Sequence, residues 1–417
     1  MEVLYLTHRM PYPPDKGDKI RTYNILKALT ERATVHLGCF VDNAADWEHA
    51  DTVRAMCGET HFVNLSGFRG KVRAAKGLLS GSSITLPYFF DPSMRGWVKS
   101  LCEQRRVSHA LAFSSSMGQY LEHIEGDSTG RVVDFCDLDS DKWRQYAERS
   151  AGPKRWLFRR EASRLALDEN RIGKACEASV FISDEEVDLF VRQSGLPSSR
   201  VFEVRNGVDT DYFDPALSMT DPLTEGDRNL VFVGAMDYWP NVDAVSWFVE
   251  EILPAVRRRV PDTKLWIVGS NPSSTVEQLG KTPGVVVTGR VADVRPYLKF
   301  ASCVVAPLRV ARGVQNKVLE AMAMGQAIVA SPEALEGLGQ LELQGVAECR
   351  SVDDWTNAVC RLLDEEPSGQ RSDGVRRYVS EHFSWEASGQ TLATIMAAIG
   401  RDPDEADDGP ILRDCSL

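Results

Sequence analysis

The segment Arg309–Gly325, RVARGVQNKVLEAMAMG, carries the residues best suited to anion chemistry. A helix is expected to begin after Gly313 and to stop at Gly325. Lys317 then falls in the first turn, where a cation opposes the helix dipole and costs local stability. The free N–H groups of that turn together with Lys317 suit a pyrophosphate. Glu320 follows three residues later on the same face, where its carboxylate could accept hydrogen bonds from two ribose hydroxyls. The spacing allows a plainer arrangement too. Lys317 and Glu320 could pair with each other on a solvated face, over Val318, Ala321 and Met322 in the core. Spacing alone leaves both open.

A second candidate is Thr7–Asp18, THRMPYPPDKGD, between a first strand and the helix expected over Lys19–Glu31. It is stiffened by proline, Gly17 would let backbone approach a ligand, and Asp18 suits the N-cap. His8, Arg9, Lys16 and Arg21 make it basic; an ordinary capped βα turn is the alternative. In VVDFCDLDSDKW, Asp134, Asp137, Asp139 and Asp141 cluster after another strand. Asp137–Glu148 has the outline of a calcium loop, but its sixth position is Lys142 where that loop needs Gly. Asp137 and Asp139 also form a DxD pair, a pattern too common to define a metal site. These acids are expected to cap the next helix, with one left to bind substrate hydroxyls. Ser114–Ser116 follow a strand without a nucleophile elbow. The chain also lacks GxxxxGK[ST], HExxH and a GxGxxG after its first strand.

The elements that position these residues are short apolar runs alternating with helical patterns, the mark of parallel α/β sheets. Strands are expected at Val3–Leu6, Thr34–Phe40, His61–Leu65, His109–Phe113, Val132–Phe135, Ser179–Ile182 and Val201–Val204. A second set is expected at Leu230–Val233, Lys264–Val268, Val285–Thr288, Cys303–Ala306 and Ala327–Ala330. The stretch Asp214–Arg228, rich in proline and acids, separates the sets. Two doubly wound domains follow, with a cleft between them and ligands at the carboxyl ends of the strands.

Composition limits the partners. The chain has 417 residues and a formal charge of −12, so nucleic acid is not expected as a partner. The acidity is uneven: residues 1–200 hold 28 basic and 27 acidic side chains, residues 201–417 hold 20 and 33. Nine cysteines show no CxxC pair, which fits a reducing compartment and no zinc site. The longest stretch free of Asp, Glu, Lys and Arg is Val107–Leu121, too short to span a bilayer. No signal peptide is read at the start. Positive charge gathers at Arg69–Lys76 and in the helical pattern Lys154–Lys174, beside Trp156, Leu157 and Phe158. Such a helix could meet an anionic membrane surface, or lie solvated with internal salt bridges.

Taken together, PYPPDKGDKIRTYN, VVDFCDLDSDKWRQYA, NGVDTDYF, FVGAMDYWPN, VTGRVADVRPYL and APLRVARGVQNKVLEAMAMG resemble a retaining glycosyltransferase of family four with the GT-B fold. The resemblance is nearest to the sugar transferases of PEP-CTERM/exosortase exopolysaccharide systems and runs over about residues 1–395. It implies an N-terminal acceptor-binding Rossmann-like domain over 1–210, a linker over 211–228 and a nucleotide-sugar-binding Rossmann-like domain over 229–385. A helix at 386–400 would pack back on the first domain, and 401–417 would be an acidic disordered tail.

Lys317 would bind the diphosphate and Glu320 the ribose, with Gly17 against the phosphates and the loop Gly289–Val291, including Arg290 and Val291, over the base. His8, Lys16 and Asp139 fall on the acceptor side. The resemblance implies front-side transfer without a metal or other cofactor, to a lipid-linked or growing glycan at the cytoplasmic membrane face. Two positions depart from the pattern. Arg312 stands where many members carry an acid eight residues before the ribose-binding Glu. Gly234 is followed by Ala235, Met236 and Asp237 with no cation for the pyrophosphate, a place Arg309 or Arg312 could fill. Asp137 and Arg312 are the candidate catalytic residues. A non-hydrolysing nucleotide-sugar epimerase on the same architecture, and a non-catalytic two-lobe binding protein, are the alternatives.

Overall fold

The computed structural model describes residues 1–65, 67–105, 107–124, 129–148, 150–224, 228–311, 313–338, 343–364 and 369–399. Arg312 and the tail 401–417 lie outside the described residues, as does part of the stretch 214–228. Seven parallel strands form the first sheet: β1 (Glu2–Thr7), β2 (Thr34–Val41), β3 (Thr60–Asn64), β4 (Val107–Phe113), β5 (Gly130–Cys136), β6 (Ala178–Phe181) and β7 (Val201–Glu203). Six form the second: β8 (Arg228–Val233), β9 (Thr263–Val268), β10 (Val285–Gly289), β11 (Cys303–Ala306), β12 (Ile328–Ala330) and β13 (Val346–Glu348). The last was not anticipated. It is three residues of Val-Ala-Glu at a sheet edge, paired only with β12, and so short a run carries almost no pattern.

The strands are continuous apolar runs because helices cover both faces of each sheet. Alternate β1 residues serve opposite layers: Leu4 and Leu6 join the cluster around Phe40 and Phe135, while Val3 and Tyr5 join the one around Val35 and Leu37. Strand order runs β3-β2-β1-β4-β5-β6-β7 and β10-β9-β8-β11-β12-β13. Each sheet therefore reverses direction once, at β1/β4 and at β8/β11, and such reversals open a crevice at the carboxyl ends of the strands. The loops after β8 and β11 frame the crevice of the second sheet.

The chain divides into two compact units, Met1–Val204 joined by the segment from Ser388, and Arg205–Ala387. Residues 205–213 thus belong to the second unit, earlier than the expected boundary at 210. The backbone of Val208 bridges Ser384, and Phe213 enters the second core. Arg376 binds the carbonyls of Thr210 (2.8 Å) and Phe213 (2.6 Å). The expected linker is likewise attached, since Met219 and Leu223 pack on that core. The helix Trp385–Ile399 inserts Leu392, Ile395 and Met396 among Val3, Leu26 and Val35 of the first unit.

An Arg–Asp ion pair lies deep inside the first unit. Arg21 reaches both carboxylate oxygens of Asp134 (2.8 and 3.1 Å) and the carbonyl of Val204 (2.9 Å), and both side chains are about 1% exposed. Asp134 also accepts the Cys136 N–H. Arg21 is therefore a structural cation, not part of the basic loop rim.

Candidate active site

The second unit's crevice is built by close backbone approach. Gly234 and Gly269 directly follow β8 and β9, and Gly289 ends β10. Gly234 N–H donates to Val268 and Gly269 N–H to Gly289. A Cβ on Gly269 (φ +155°) would sit 1.7 Å from the Gly234 carbonyl oxygen, so only glycine fits there. A Cβ on Gly234 would meet the Asn241 amide at 2.6 Å and the Lys317 Nζ at 3.1 Å.

Lys317 lies in the first turn of the helix Asn316–Ala323, which follows β11. Gln315, at the N-cap, gives no side-chain hydrogen bond to the helix; its carbonyl takes the Val318 and Leu319 N–H groups, which leaves those of Asn316 and Lys317 uncapped by it. The ammonium does not turn to Glu320. It donates to Asn241 Oδ1 and lies 4.5 Å from the centre of the Phe232 ring. Asn241, itself buried, ties its Nδ2 to the Ala235 carbonyl at 2.9 Å. One asparagine thus fixes both the loop after β8 and the cation.

Among the described residues the Glu320 carboxylate forms no hydrogen bond or ion pair, so Lys317 and Glu320 feel each other's charge without the direct contact of a surface pair. Burial pushes the Lys317 ammonium down from 10.5 to about 7, with the charge of Glu320 opposing. Burial likewise pushes Glu320 up from 4.5 to about 7, with Lys317 opposing. A half-buried cation with one hydrogen-bond partner, the two leading helix N–H groups and a half-buried carboxylate lie within one turn and leave polar capacity for a ligand. Their chemistry suits an anion joined to a polyol.

The other candidates distribute unevenly. Arg309 is engaged elsewhere: its guanidinium forks onto Asp243 (Nε to Oδ2 2.9 Å) and lies over Trp247, so it is not a ready substitute for the missing pyrophosphate cation. Gly289 (φ +68°) turns the loop that exposes Arg290, while Val291 packs on the second core. Arg312 lies outside the described residues.

In the first unit Gly17 and Lys16 are exposed at the start of the helix Gly17–Thr30. The N-cap is Lys16, not Asp18 as expected. Asp18 sits inside the first turn because His8 (3.1 Å) and Arg9 (2.6 Å) hold it. Burial opposes ionisation of Asp18, yet the hydrogen bond and charge of His8, then those of Arg9, hold its carboxyl well below the usual range. The His8 ring is stacked on Phe113, 5.5 Å between centres. Asp137 and Asp139 share Lys142 at 2.6 and 3.7 Å, and Asp139 accepts the Ser115 hydroxyl. They do not cap the helix Asp139–Glu148 as expected. Glu186 takes the Leu138 N–H (2.6 Å) and Glu169 the Ser140 N–H (3.0 Å), from helices distant in sequence.

Known proteins resemble this chain in part of its sequence and in its fold. Residues 227–365 match the family model described as Glycosyl transferases group 1. That segment contains Gly234, Asn241, Lys317 and Glu320. The GDP-mannose-dependent alpha-(1-6)-phosphatidylinositol monomannoside mannosyltransferase of Mycolicibacterium smegmatis is 30% identical over 266 residues, 56% of this chain and 65% of that protein. The chain therefore spans just under two thirds of that relative's length. Sucrose-phosphate synthase from Thermosynechococcus elongatus superposes with a TM-score of 0.67 at 16% identity, over 96% of this chain and 99% of that one. HepE of Anabaena, solved with UDP and glucose, gives 0.63 at 13% identity, over 95% and 99%. These likenesses establish the fold, two Rossmann-like units of the GT-B type.

Asn241 and Phe232 were not singled out from sequence. An asparagine after Trp-Pro at a helix start reads as turn chemistry, and only the fold brings it to Lys317, 76 positions away.

Proposed function

We propose that the protein is a glycosyltransferase that moves a sugar from a nucleoside-diphosphate sugar to a glycan or lipid-linked acceptor. The observation carrying this reading is the Lys317 ammonium, held by neutral Asn241 at an uncapped helix start one turn from unpartnered Glu320. The helix N–H groups and Lys317 take the diphosphate and stabilise the charge it gains as the sugar departs. Glu320 accepts the ribose hydroxyls, and Arg290 and Val291 border the base. In the first unit, His8, Lys16 and Asp139 are the residues assigned to the acceptor. Asp137, neutralised by Lys142, and Arg312 stay as candidate catalytic residues.

In this reading transfer retains anomeric configuration and needs no metal, because the departing charge is met by cation and helix. Exopolysaccharide or cell-envelope synthesis of the PEP-CTERM/exosortase type, at the cytoplasmic membrane face, is the proposed setting. The test is a thermal-shift panel of UDP, GDP, dTDP and their sugars. A ligand at about 100 times its Kd adds about 2.7 kcal/mol of stability. No shift with any nucleotide would remove the reading. Conversion of free nucleotide sugar without an acceptor would replace it with an epimerase.

A further inference from the structure

The helix Gly152–Ala175 buries one stripe, including Glu161, Ala162, Leu165, Glu169 and Ile172, against the first unit. Two of its arginines serve the fold. Arg160 donates to the carbonyls of Leu78 (3.0 Å) and Ser82 (2.9 Å), and Arg171 pairs with Glu122 and with Asp168 (2.9 Å). Arg155 and Arg159 differ. Among the described residues their side chains form no hydrogen bond or ion pair, although they stand one turn apart where like charges repel. Trp156 stands beside them on the same depression and is 63% exposed. These three, with Gly152, Arg160 and Ser163, line a surface depression of about 380 Å³.

Three physical facts point one way. Two adjacent guanidinia without a counter-charge leave a place for an anion, and an arginine fork matches phosphate oxygens. An exposed tryptophan is costly in water but suited to a boundary that is apolar on one side and wet on the other. The chain carries a net −12, so this cluster is local and not part of a generally basic surface. The bonds of Arg160 also dock the helix Gly67–Ser80 alongside, whose Val72 is exposed.

We propose that this face docks on an anionic phospholipid bilayer, with a headgroup phosphate between Arg155 and Arg159 and Trp156 at the headgroup level. The proposal adds a partner to the function above and uses none of the donor-site residues. Full-length protein should float with vesicles of phosphatidylcholine and phosphatidylglycerol in equal parts, and not with phosphatidylcholine alone. Each cation removed costs about fivefold in partitioning, so Arg155→Gln with Arg159→Gln should weaken it about 30-fold. Trp156→Ala should weaken it as well. Nucleotide-induced melting shifts, measured on the same samples, should not change, which separates failure here from failure of the donor-site reading. Equal flotation of the double variant and wild type would overturn the proposal, as would equal binding to both vesicle types. Stabilisation by inorganic phosphate without any vesicle binding would make the depression a soluble-anion site and overturn it too.

Discussion

Raising the pH from 7 to about 9 should weaken nucleoside-diphosphate binding about 50-fold, and the reason is the environment of Lys317. Burial lowers this ammonium to about 7 in the empty site, against 10.5 in the unfolded chain. Two phosphate charges at hydrogen-bond range are worth several kcal/mol each at an effective dielectric near 20. That suffices to return the group to its ordinary range once ligand is bound. Binding above pH 7 must therefore recruit a proton, and affinity falls by up to a factor of about ten per pH unit until the bound group itself deprotonates. At pH 7 about half the free sites carry the charge, and near pH 9 about one in a hundred, which gives the 50-fold ratio.

Isothermal titration at constant ionic strength measures it directly, and Lys317→Arg provides the control. A guanidinium stays charged, so the variant should lose the lysine's share of the slope and keep only the shallower change that ionisation of Glu320 leaves near pH 7. A flat wild-type profile, or an equally steep one for the arginine variant, would refute the reasoning. The sign for stability follows from the same shift. The folded state binds fewer protons than the unfolded state between pH 7 and 10.5, so the contribution of Lys317 to stability rises with pH across that window.

Further outcomes are expected. Glu320→Gln should weaken nucleoside-diphosphate binding about tenfold or more, since a hydrogen bond to a charged group is lost, and should leave inorganic pyrophosphate binding unchanged in a competition assay. Asn241→Asp keeps the side-chain shape but adds a negative charge beside the ammonium. At about 5 Å from a phosphate charge that costs about 3 kcal/mol, so affinity should drop by at least about 100-fold with little change in melting temperature. Asp134→Asn strands the buried Arg21 and should destabilise the first unit by about 3–5 kcal/mol in chemical denaturation, while nucleotide affinity of the folded protein stays as it was.

The parts of this molecule legible in sequence are those whose physics is local. Continuous apolar runs announced twelve strands, and β13 escaped because three residues at an edge have no period to read. Lys317 was visible because a cation in a first helical turn contradicts the dipole, and such a contradiction signals a compensating ligand. Long-range partners were not legible. Glu169 and Glu186 cap the helix after Leu138 from 29 and 48 positions away, so the nearby aspartates took the blame for a task they do not perform. Arg309 looked free until Asp243, 66 positions earlier, filled its fork. Asn241 carried an ordinary turn signal, and its service to Lys317 exists only once β8 and β11 lie side by side.

The return of the helix Trp385–Ile399 to the first unit has a consequence for synthesis on the ribosome. His109 Nε2 meets the Met396 carbonyl at 2.7 Å and Arg32 binds Gln390 at 2.8 Å, while Leu392 and Ile395 close a layer begun by Val3. All the strands of the first sheet leave the ribosome before residue 205, yet their last covering piece is translated after the whole of Arg205–Ala387. At about 5–20 residues per second that interval is roughly 10 to 40 s. For that time the first-made unit displays an apolar patch on nascent chain. The second-made unit, with all its strands in one continuous stretch, can complete its fold first.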